Sequence, residues 1–589
     1  MKILTNISSP TDLKSLSIDE LEALACEIRA LIIDVMAING GHLASNLGSV
    51  ELILALHYVF DSPLDKLIFD TSHQTYTHKI ITGRKDLFST IRLFKGLSGF
   101  ACPTESPHDH FYAGHAGTGL SLALGVAKSR DLQGGLEHVV PVISDAPLAC
   151  GLTLEALNHI PADLKKFSLI LNDNAMAISD GVGTIHHNLL GKNKGKDFFK
   201  QFGFHYLGPV DGHDIKALIK TLEIAKSHNG PTLVHTLTVK GQGVTKAVAD
   251  PITYHGVKPA TQTSPAKPTF PKIFGNQILR MADADPTIVA ITPAMAGGSC
   301  LDPFMKKYPK RCLDLGIAEG HAVTFAGGLA YGGVQKVVCC VYATFFQRAL
   351  DNLFQDVVLQ EIPVVFTLDR AGLSPNDGTT HHGVFDLGFL VAMPKMVIAQ
   401  PRDGDMLKDL LESAFHWKRT VAIRYPNMQT EESNRQIIQR PLGKGEILKK
   451  GKDIVLIALG HMCNLAEEIR IILLDHQIEA TIVDPIFVKP LDTSLLFHLM
   501  LDHHYFVTIE EHSITTGLGM VVNSFIMQSG FSNIQVQNFG LPDQFIEHGS
   551  YEELMKQAHL TAPEIANQIL ERFSLNQTLR AYEKHRNLS

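Results

Sequence analysis

The segment HVVPVISDAPLACGLTLEALNHIPADLKKFSLILNDNAMAIS, at residues 138–179, decides the fold. Residues 139–143 form a short run of apolar, mostly β-branched side chains, which is typical of a buried strand. Residues 148–159 then carry apolar side chains at helical spacing, and residues 167–171 form a second buried run. This strand–helix–strand order predicts an α/β fold built on a parallel sheet.

Polar side chains stand where these two predicted strands end. Asp145 follows the first strand, and Asn174 follows the second. Ligands of open parallel sheets bind beyond the carboxyl ends of the strands. A carboxylate and an amide oxygen at that edge suit Mg²⁺, which takes hard oxygen ligands and shares them with phosphates. From this stretch alone, an aspartate that merely caps a helix is an open alternative.

Composition sets the broad class of the protein. A length of 589 residues predicts two to four domains. Hydrophobic residues make up 45% of the chain and charged residues 19%, so the chain can bury large cores and is not disordered. A net charge of −8 argues against nonspecific binding to nucleic acid, and we expect no nucleic-acid partner.

The cysteines and the apolar runs indicate the compartment. The eight cysteines include no C-x-x-C pair, which favours reduced thiols over a disulfide framework or a zinc site. The N-terminal residues lack the apolar core of a signal peptide, and no apolar run is long enough to span a bilayer. We therefore expect a soluble, cytoplasmic protein without a membrane partner.

Three histidines occur at predicted strand-to-helix turns of the first α/β layer. His42 follows a glycine pair, His73 follows the end of an apolar strand, and His115 lies in the turn Gly114-His115-Ala116. Any one of them is more readily explained as a structural or surface histidine. Together they form a constellation that can donate to a phosphate or exchange a proton near neutral pH.

The second half of the chain carries a further set of candidate residues. Glu319 begins a helix of small residues, where its carboxyl group would be poorly solvated and able to share a proton. A simpler role is that of a helix-dipole partner. Residues 337–342 form a strand that leads to Arg348, whose planar fork suits a phosphate. A core aromatic and a surface arginine are the alternative explanation for that segment.

Three longer motifs resemble one enzyme family. They are Gly-Gly-His-x₄-Leu-Gly-x-Val-Glu-Leu from residue 40, Asp-x-x-His-Gln-x-Tyr-x-His-Lys-Ile-x-Thr-Gly-Arg from residue 70, and Gly-Leu-Ser-Gly-Phe at residues 96–100. They resemble the 1-deoxy-D-xylulose-5-phosphate synthase family, whose members are thiamine-diphosphate enzymes similar to transketolase. Asp145 and Asn174 likewise resemble the Gly-Asp-Gly and Asn-x-aliphatic elements of the thiamine-diphosphate motif.

The resemblance covers roughly residues 10–575 and implies the architecture. The fold class is α/β, with three consecutive α/β domains whose sheets are mostly parallel, as in transketolase. A proline-rich linker at residues 258–268 places the first boundary. The expected domains are a diphosphate- and Mg²⁺-binding domain at 1–267, a pyrimidine-binding domain at 268–436 and a C-terminal domain at 437–589. The last domain is assigned to packing and dimer contacts, without chemistry of its own.

The resemblance also implies cofactors, substrates and residue roles. Thiamine diphosphate and Mg²⁺ are the expected cofactors, pyruvate and D-glyceraldehyde 3-phosphate the substrates, and a homodimer the expected assembly. Asp145, Asn174 and the Met176 carbonyl are the implied metal ligands. The implied cofactor contacts are His73, Gly114, His115, Ala116, Ala146, Pro147, Asn174, Glu319 and Phe345. The implied catalytic residues are His42, His73, Glu319 and His381, and the substrate contacts are Tyr342, Arg348, Asp377, His381 and Arg424.

Several positions depart from the family pattern. Ser144 and Ala146 replace both glycines of the Gly-Asp-Gly motif, Gly320 replaces a glutamine, and Val244 replaces an aromatic residue. The polar loop at residues 180–200 is shorter than in the family. Three hypotheses follow: an active synthase, a carboligase with another acceptor aldehyde, and a non-catalytic paralogue in which the Ala146 methyl group hinders the diphosphate.

Overall fold

The computed structural model describes residues 3–176, 182–189, 194–260 and 267–573. Parts of the predicted loop at 180–200 and of the predicted linker at 258–268 lie outside these ranges. The chain divides into two compact units. Unit 1 comprises Met1–Ser264 with Leu315–Ala318, and unit 2 comprises Pro265–Asp314 with Glu319–Ser589. Within the described ranges, no helix is both long and apolar enough to cross a membrane.

Unit 1 is built on a parallel sheet of five strands. Its order is β2-β3-β4-β6-β5, and every neighbouring pair is parallel. A small antiparallel pair, β1 with β7, lies apart from it. The strands of unit 1 are β1 (Gly41–His42), β2 (Lys66–Phe69), β3 (Val139–Ser144), β4 (Ser168–Asp173), β5 (His205–Asp211), β6 (Thr232–Leu237) and β7 (Gly256–Val257). The strands predicted at 139–143 and 167–171 are β3 and β4, which confirms the parallel α/β fold.

Helices cover this sheet. The first long one begins at a capping box, in which the Ser17 hydroxyl accepts from the Glu20 amide and the Glu20 carboxylate accepts from the Ser17 amide. Its buried face joins the core of unit 1. The helices of unit 1 are Pro10–Leu13, Ile18–Asn39, Ala44–Leu47, Val50–Val59, Tyr76–Lys79, Gly119–Gln133, Gly151–Asn158, Thr184–Leu189, Lys194–Lys200, Ile215–Ser227 and Thr245–Ala249, with 3₁₀ turns at Leu4–Asn6, Lys85–Thr90 and Ala146–Ala149.

Unit 2 contains two mostly parallel sheets. The larger has the order β17-β12-β13-β11-β10-β8-β9 and the smaller β14-β16-β15-β18-β19. Only β17 and β14 run antiparallel to their neighbours. The strands of unit 2 are β8 (Ile288–Thr292), β9 (Cys312–Asp314), β10 (Lys336–Tyr342), β11 (Val364–Asp369), β12 (Val397–Ala399), β13 (Val421–Tyr425), β14 (Glu446–Lys449), β15 (Ile454–Ala458), β16 (Ala480–Asp484), β17 (Phe487–Lys489), β18 (Tyr505–Ser513) and β19 (Gln535–Leu541).

The larger sheet of unit 2 includes one strand from the part of the chain that otherwise forms the smaller sheet. Strand β17 comes from the predicted third domain, yet it pairs with β12 of the larger sheet. The domain boundary at 436/437 stays a prediction, because the larger sheet includes a strand from beyond it. The helices of unit 2 are Phe270–Ala284, Asp302–Lys307, Glu319–Tyr331, Ala343–Phe346, Leu350–Asn352, Asp386–Leu390, Gly404–Ala414, Met462–Asp475, Thr493–Asp502, Leu518–Gln528 and Tyr551–Gln557, followed by a helix at 562–573.

Candidate active site

Asp145 is a buried carboxylate that lacks a hydrogen-bond partner among the described residues. It follows β3 with 5% of its surface exposed, and neither of its carboxylate oxygens accepts a hydrogen bond. Burial, and next the charge of Asp173, raise the pKa of Asp145 to about 7. His186 Nδ1 lies 4.0 Å from Asp145 Oδ2, and the charge of Asp145 also acts on Lys240, whose own pKa burial lowers to about 8. A buried carboxylate is costly unless a cation neutralises it, so this site fits a metal ion.

The turn after β4 carries the other two predicted metal ligands, Asn174 and Met176. The Met176 amide donates to Asn174 Oδ1 over 3.1 Å, and the Ala175 amide donates to Asp173 Oδ1 over 3.0 Å. Ala175 adopts a left-handed conformation with φ 60°, which closes the turn. Within the described ranges, no group of three His, Cys, Asp or Glu side chains could hold a metal ion. A Mg²⁺ ion at Asp145 would therefore rely on amide and main-chain oxygens, as predicted for Asn174 and Met176.

The predicted diphosphate turn at Gly114–Ala116 is fixed by two neighbours. Asp70, at the end of β2, accepts hydrogen bonds from the amides of Gly117 over 2.9 Å and Gly119 over 2.8 Å. Gly117 has a φ of +91°, and a Cβ there would lie 2.7 Å from Cβ of Cys150. The Cys150 Sγ atom lies 4.0 Å from the Ala116 carbonyl oxygen. These contacts hold the turn against the segment that follows Asp145.

Three histidine rings meet in unit 1. The ring centroids of His42 and His73 are 5.4 Å apart, and His255 lies 5.5 Å from His42 and 5.4 Å from His73. Phe100 packs edge-on against His42 at 5.4 Å. The structure therefore brings together two of the predicted catalytic histidines. It adds His255, which sequence analysis assigned no role. Its position follows from the pairing of His42 with Gly256 in the β1–β7 ribbon.

The two residues that replace glycines in the motif cause no backbone strain. Neither Ser144 nor Ala146 has a positive φ. Asp145 is in the right-handed helical region, with φ −64° and ψ −37°, and Ala146 opens the single-turn 3₁₀ helix Ala146–Ala149. Pro147 stands in the first turn, where its fixed φ is compatible with helix. The backbone thus accepts a side chain at both positions.

Glu319 occupies the start of the helix Glu319–Tyr331 in unit 2. It is buried, with 4% of its surface exposed, which confirms that it is poorly solvated. Arg348 Nη1 donates to Glu319 Oε2 over 3.2 Å. At Gly320, an added Cβ would meet Asn352 Oδ1 at 2.8 Å, and the Asn352 amide donates to Thr324 Oγ1 over 2.9 Å. The packing of Asn352 accounts for a glycine at this position.

The predicted aromatic and histidine contacts of unit 2 cluster beyond strands β10 and β11. Tyr342 and Phe345 stack with centroids 5.6 Å apart and planes 7° apart. His381 meets the edge of Phe345 at 5.6 Å. Arg370 lies over the Tyr342 ring at 4.1 Å and forms an ion pair with Asp369. Arg370, which directly follows β11, was not among the predicted site residues.

Arg424 was expected to clamp a substrate phosphate, and that role stays a prediction, although the structure places Arg424 among protein partners. Arg424 is 1% exposed, and its guanidinium is already engaged by protein groups. It donates to both carboxylate oxygens of Asp386, over 2.8 and 2.9 Å, and to the Gln400 side chain. It also donates to the Gly383 carbonyl oxygen over 3.2 Å. Arg424 therefore belongs to a buried structural ion pair, which sequence spacing alone could not distinguish from an open phosphate site.

The parallel sheets, the buried Asp145 at a strand end and the buried Glu319 at a helix start fit a thiamine-diphosphate-dependent enzyme of the transketolase class. Family models match along the chain: 1-deoxy-D-xylulose-5-phosphate synthase at residues 4–198 and 191–238, the pyrimidine-binding domain of transketolase at 266–432, and the transketolase C-terminal domain at 443–565.

Relatives that match almost the whole chain identify its family. The chain is 46% identical to 1-deoxy-D-xylulose-5-phosphate synthase of Chlamydia trachomatis serovar L2, over 98% of each chain. It is 46% identical to that of Chlamydia muridarum, over 98% of this chain and 99% of the relative. It is 45% identical to that of Chlamydia pneumoniae, over 97% of each. The chain belongs to the 1-deoxy-D-xylulose-5-phosphate synthase family.

Proposed function

We propose that the protein condenses pyruvate with D-glyceraldehyde 3-phosphate, with loss of carbon dioxide, to give 1-deoxy-D-xylulose 5-phosphate. The observation that supports this proposal is the buried carboxylate of Asp145, which stands at a strand end beside Asn174 and whose pKa burial raises to about 7. Burying a carboxylate costs folding free energy unless a cation neutralises its charge, and a bound metal ion would do so. Membership of the synthase family gives the site its reaction.

The residues of unit 1 hold the cofactors. When bound, thiamine diphosphate supplies a thiazolium ring that accepts the electron pair released as pyruvate loses carbon dioxide. Asp145, Asn174 and the Met176 carbonyl would hold Mg²⁺, whose charge would help to bind the diphosphate. The Gly114–Ala116 turn presents main-chain groups and the His115 side chain to the same diphosphate, together with Ala146 and Pro147. Asp70 supports this turn by accepting the amides of Gly117 and Gly119.

The residues of unit 2 serve the reacting end of the cofactor and the substrates. Glu319 would exchange a proton with the pyrimidine ring of the cofactor, and Phe345 would contact that ring. Arg348 binds the acceptor phosphate, which its partial exposure permits. Tyr342 and Asp377 contact the substrates. His42 and His73 of unit 1, and His381 of unit 2, exchange protons with substrate hydroxyl groups near neutral pH.

We also propose a cytoplasmic homodimer with the three-domain division at 267/268 and 436/437. All eight cysteines, which lie in the described part of the chain, are free thiols, as expected in a reducing compartment. Light scattering of the purified chain measures the assembly, and twice the chain mass of 64.6 kDa is the expected result. A mass of 64.6 kDa in solution would contradict the dimer.

A carboligase with an unphosphorylated acceptor is the alternative that the structure makes worth testing, because Arg424 is occupied by Asp386. The decisive experiment compares D-glyceraldehyde 3-phosphate with D-glyceraldehyde under identical conditions. The proposed synthase gives product at least about a hundredfold faster with the phosphate, since a charge-assisted phosphate contact is worth roughly 3 kcal/mol. Equal rates with both aldehydes would contradict the assignment and favour the alternative.

A further inference from the structure

One loop of unit 2 carries both Asp377 and His381. We name residues 372–383 the substrate loop. Its neck is closed by two hydrogen bonds of 2.8 Å, in which Gly372 and Gly383 each donate an amide to the carbonyl oxygen of the other. The position of Asp377 and His381 therefore depends on what holds the remainder of the loop.

The distal part of the loop is attached to a segment near the C-terminus. The Thr379 hydroxyl donates to the Ile546 carbonyl oxygen over 2.8 Å, and the Gly549 amide donates to the Pro375 carbonyl oxygen over 3.0 Å. Gly378 has a φ of +69°, and a Cβ there would meet Cβ of His548 at 3.0 Å. The C-terminal domain was expected to serve only packing and dimer contacts, but residues 546–549 lie directly against the substrate loop.

His382 makes the central link between the loop and this segment. Its Nδ1 accepts from the Ser374 amide over 2.8 Å, across the loop. Its Nε2 donates to the carbonyl oxygens of Ile546 and Glu547, each over 3.1 Å. Only the neutral ring with its proton on Nε2 satisfies these bonds. The ring is 3% exposed, and burial lowers the pKa of His382, which favours that neutral form.

The base of the loop is held by a second buried group. Glu511 accepts from the Leu373 amide over 2.5 Å, from His461 Nε2 over 2.6 Å and from the Tyr551 hydroxyl over 2.5 Å. Both attachments come from β18 and the segments that follow it. A loop held at its base and at its distal end loses little further entropy when a ligand binds.

We propose that His382 is a positioning residue that fixes the substrate loop to residues 546–549 and thereby sets the affinity for the acceptor substrate. The effect on affinity rests on the proposed function, because it requires Asp377 and His381 to contact substrate. The effect on the loop itself does not. Removing the ring leaves a buried amide and two carbonyl oxygens without this partner, a loss that lets the loop open roughly tenfold more often.

The test uses three variants of the full chain. His382→Leu removes both functions of the ring. His382→Gln retains an acceptor and a donor on one side chain, so it should recover most of the effect. His416→Leu is the control, because His416 is exposed and bonds only the Glu412 carbonyl oxygen of its own helix turn. Thr379→Val, which removes one bond of the same attachment, covers the case in which His382→Leu does not fold.

The first measurement is hydrogen–deuterium exchange of peptides that cover residues 372–383. We expect amide exchange to rise about tenfold in His382→Leu, less in Thr379→Val, and little in His382→Gln or His416→Leu. The second is steady-state kinetics, in which KM for D-glyceraldehyde 3-phosphate rises in His382→Leu while KM for pyruvate changes less. Unchanged exchange in both His382→Leu and Thr379→Val would overturn the proposal. Faster exchange of the loop in His382→Leu, together with a wild-type protein that makes no product, would contradict the proposed function alone.

Discussion

Arg348 donates a hydrogen bond to Glu319, from Nη1 to Oε2 over 3.2 Å. The arginine side chain is 26% exposed, whereas that of the glutamate is 5% exposed. The pair thus joins a buried acid at a helix start to a cation that a substrate can reach. Arg348 has free donors beyond the one that Glu319 uses, since a guanidinium carries five N–H groups. Arg348 can therefore hydrogen-bond to Glu319 and bind a substrate phosphate at the same time.

Arg348 and Arg424 should respond differently to the same substitution. Arg348→Lys loses the planar fork, so KM for D-glyceraldehyde 3-phosphate should rise about tenfold with little change in melting temperature. Arg424→Lys breaks a buried pair with Asp386, and such a loss costs roughly 3–5 kcal/mol. Thermal denaturation and steady-state kinetics of both variants make the comparison. A higher KM with unchanged stability in Arg424→Lys would support the phosphate-clamp assignment.

Asp145→Asn tests the metal site without an activity assay. In the wild-type protein, Mg²⁺ with thiamine diphosphate should raise the melting temperature, because ligand at a hundred times its Kd stabilises the folded state by about 2.7 kcal/mol. The variant should show no such shift. In the absence of Mg²⁺ at pH 8 it should melt above the wild-type protein, since the variant no longer buries a carboxylate whose charged form burial disfavours.

The matched control for the metal site is Asp163→Asn, which neutralises an exposed carboxylate of the same unit. It should keep the full ligand-induced shift. An Asp145→Asn protein that is stabilised by Mg²⁺ and thiamine diphosphate as strongly as the wild-type protein would place the metal elsewhere.

Ala146→Gly separates the active synthase from the non-catalytic paralogue. Ala146 lies in a right-handed turn without strain, so we expect thiamine diphosphate affinity to change less than about threefold on substitution. The glycine should lower stability by roughly 0.5–1 kcal/mol through its larger backbone entropy in the unfolded chain. Calorimetric titration measures the affinity. A gain of tenfold or more would mean that the methyl group obstructs the diphosphate, as the paralogue hypothesis requires.

His512 should make the protein less stable at acidic pH. Burial, opposed by Asp386, lowers the pKa of His512 to about 4, so it is neutral in the folded protein. Between pH 4 and the unfolded pKa of about 6.5, the unfolded chain binds a proton that the folded chain does not. Stability is therefore lost as pH falls through this window, by at most about 1.4 kcal/mol per pH unit.

His512→Gln keeps an amide at the site and cannot take up the proton. Melting temperatures at pH 4.5, 5.5 and 6.5 should fall less steeply for His512→Gln than for the wild-type protein. His476→Gln, at an exposed helix end, should follow the wild-type curve. Parallel curves for all three proteins would show that His512 is protonated in the folded state.

The fold could be predicted because its signals are local. The runs at 139–143 and 167–171 are apolar and buried on both faces, and the capping box at Ser17 and Glu20 fixes a helix start. Burial of Glu319 was predicted from its position at a helix start, whereas burial of Asp145 was not predicted. The clustering of Tyr342, Phe345 and His381 followed from motif resemblance rather than from periodicity.

The contacts that could not be predicted join residues far apart in the sequence. Arg424 looked like an open cation because its partners Asp386 and Gln400 are 38 and 24 residues away in sequence. The attachment of His382 to Ile546 spans 164 residues, so the C-terminal domain could not be connected to the substrate loop. Hydrophobic patterns report which face of an element is buried, but they do not name the partner of a buried polar group.

The proposed synthase reaction is tested by incubating the protein with Mg²⁺, thiamine diphosphate, pyruvate and D-glyceraldehyde 3-phosphate. The product is measured by mass spectrometry. We expect 1-deoxy-D-xylulose 5-phosphate to form with the complete mixture. No product should form when any one component is omitted or when Glu319→Ala replaces the wild-type protein. The proposed reaction would be contradicted by folded wild-type protein that binds thiamine diphosphate yet forms none of this product. It would also be contradicted by a Glu319→Ala variant that forms the product at the wild-type rate.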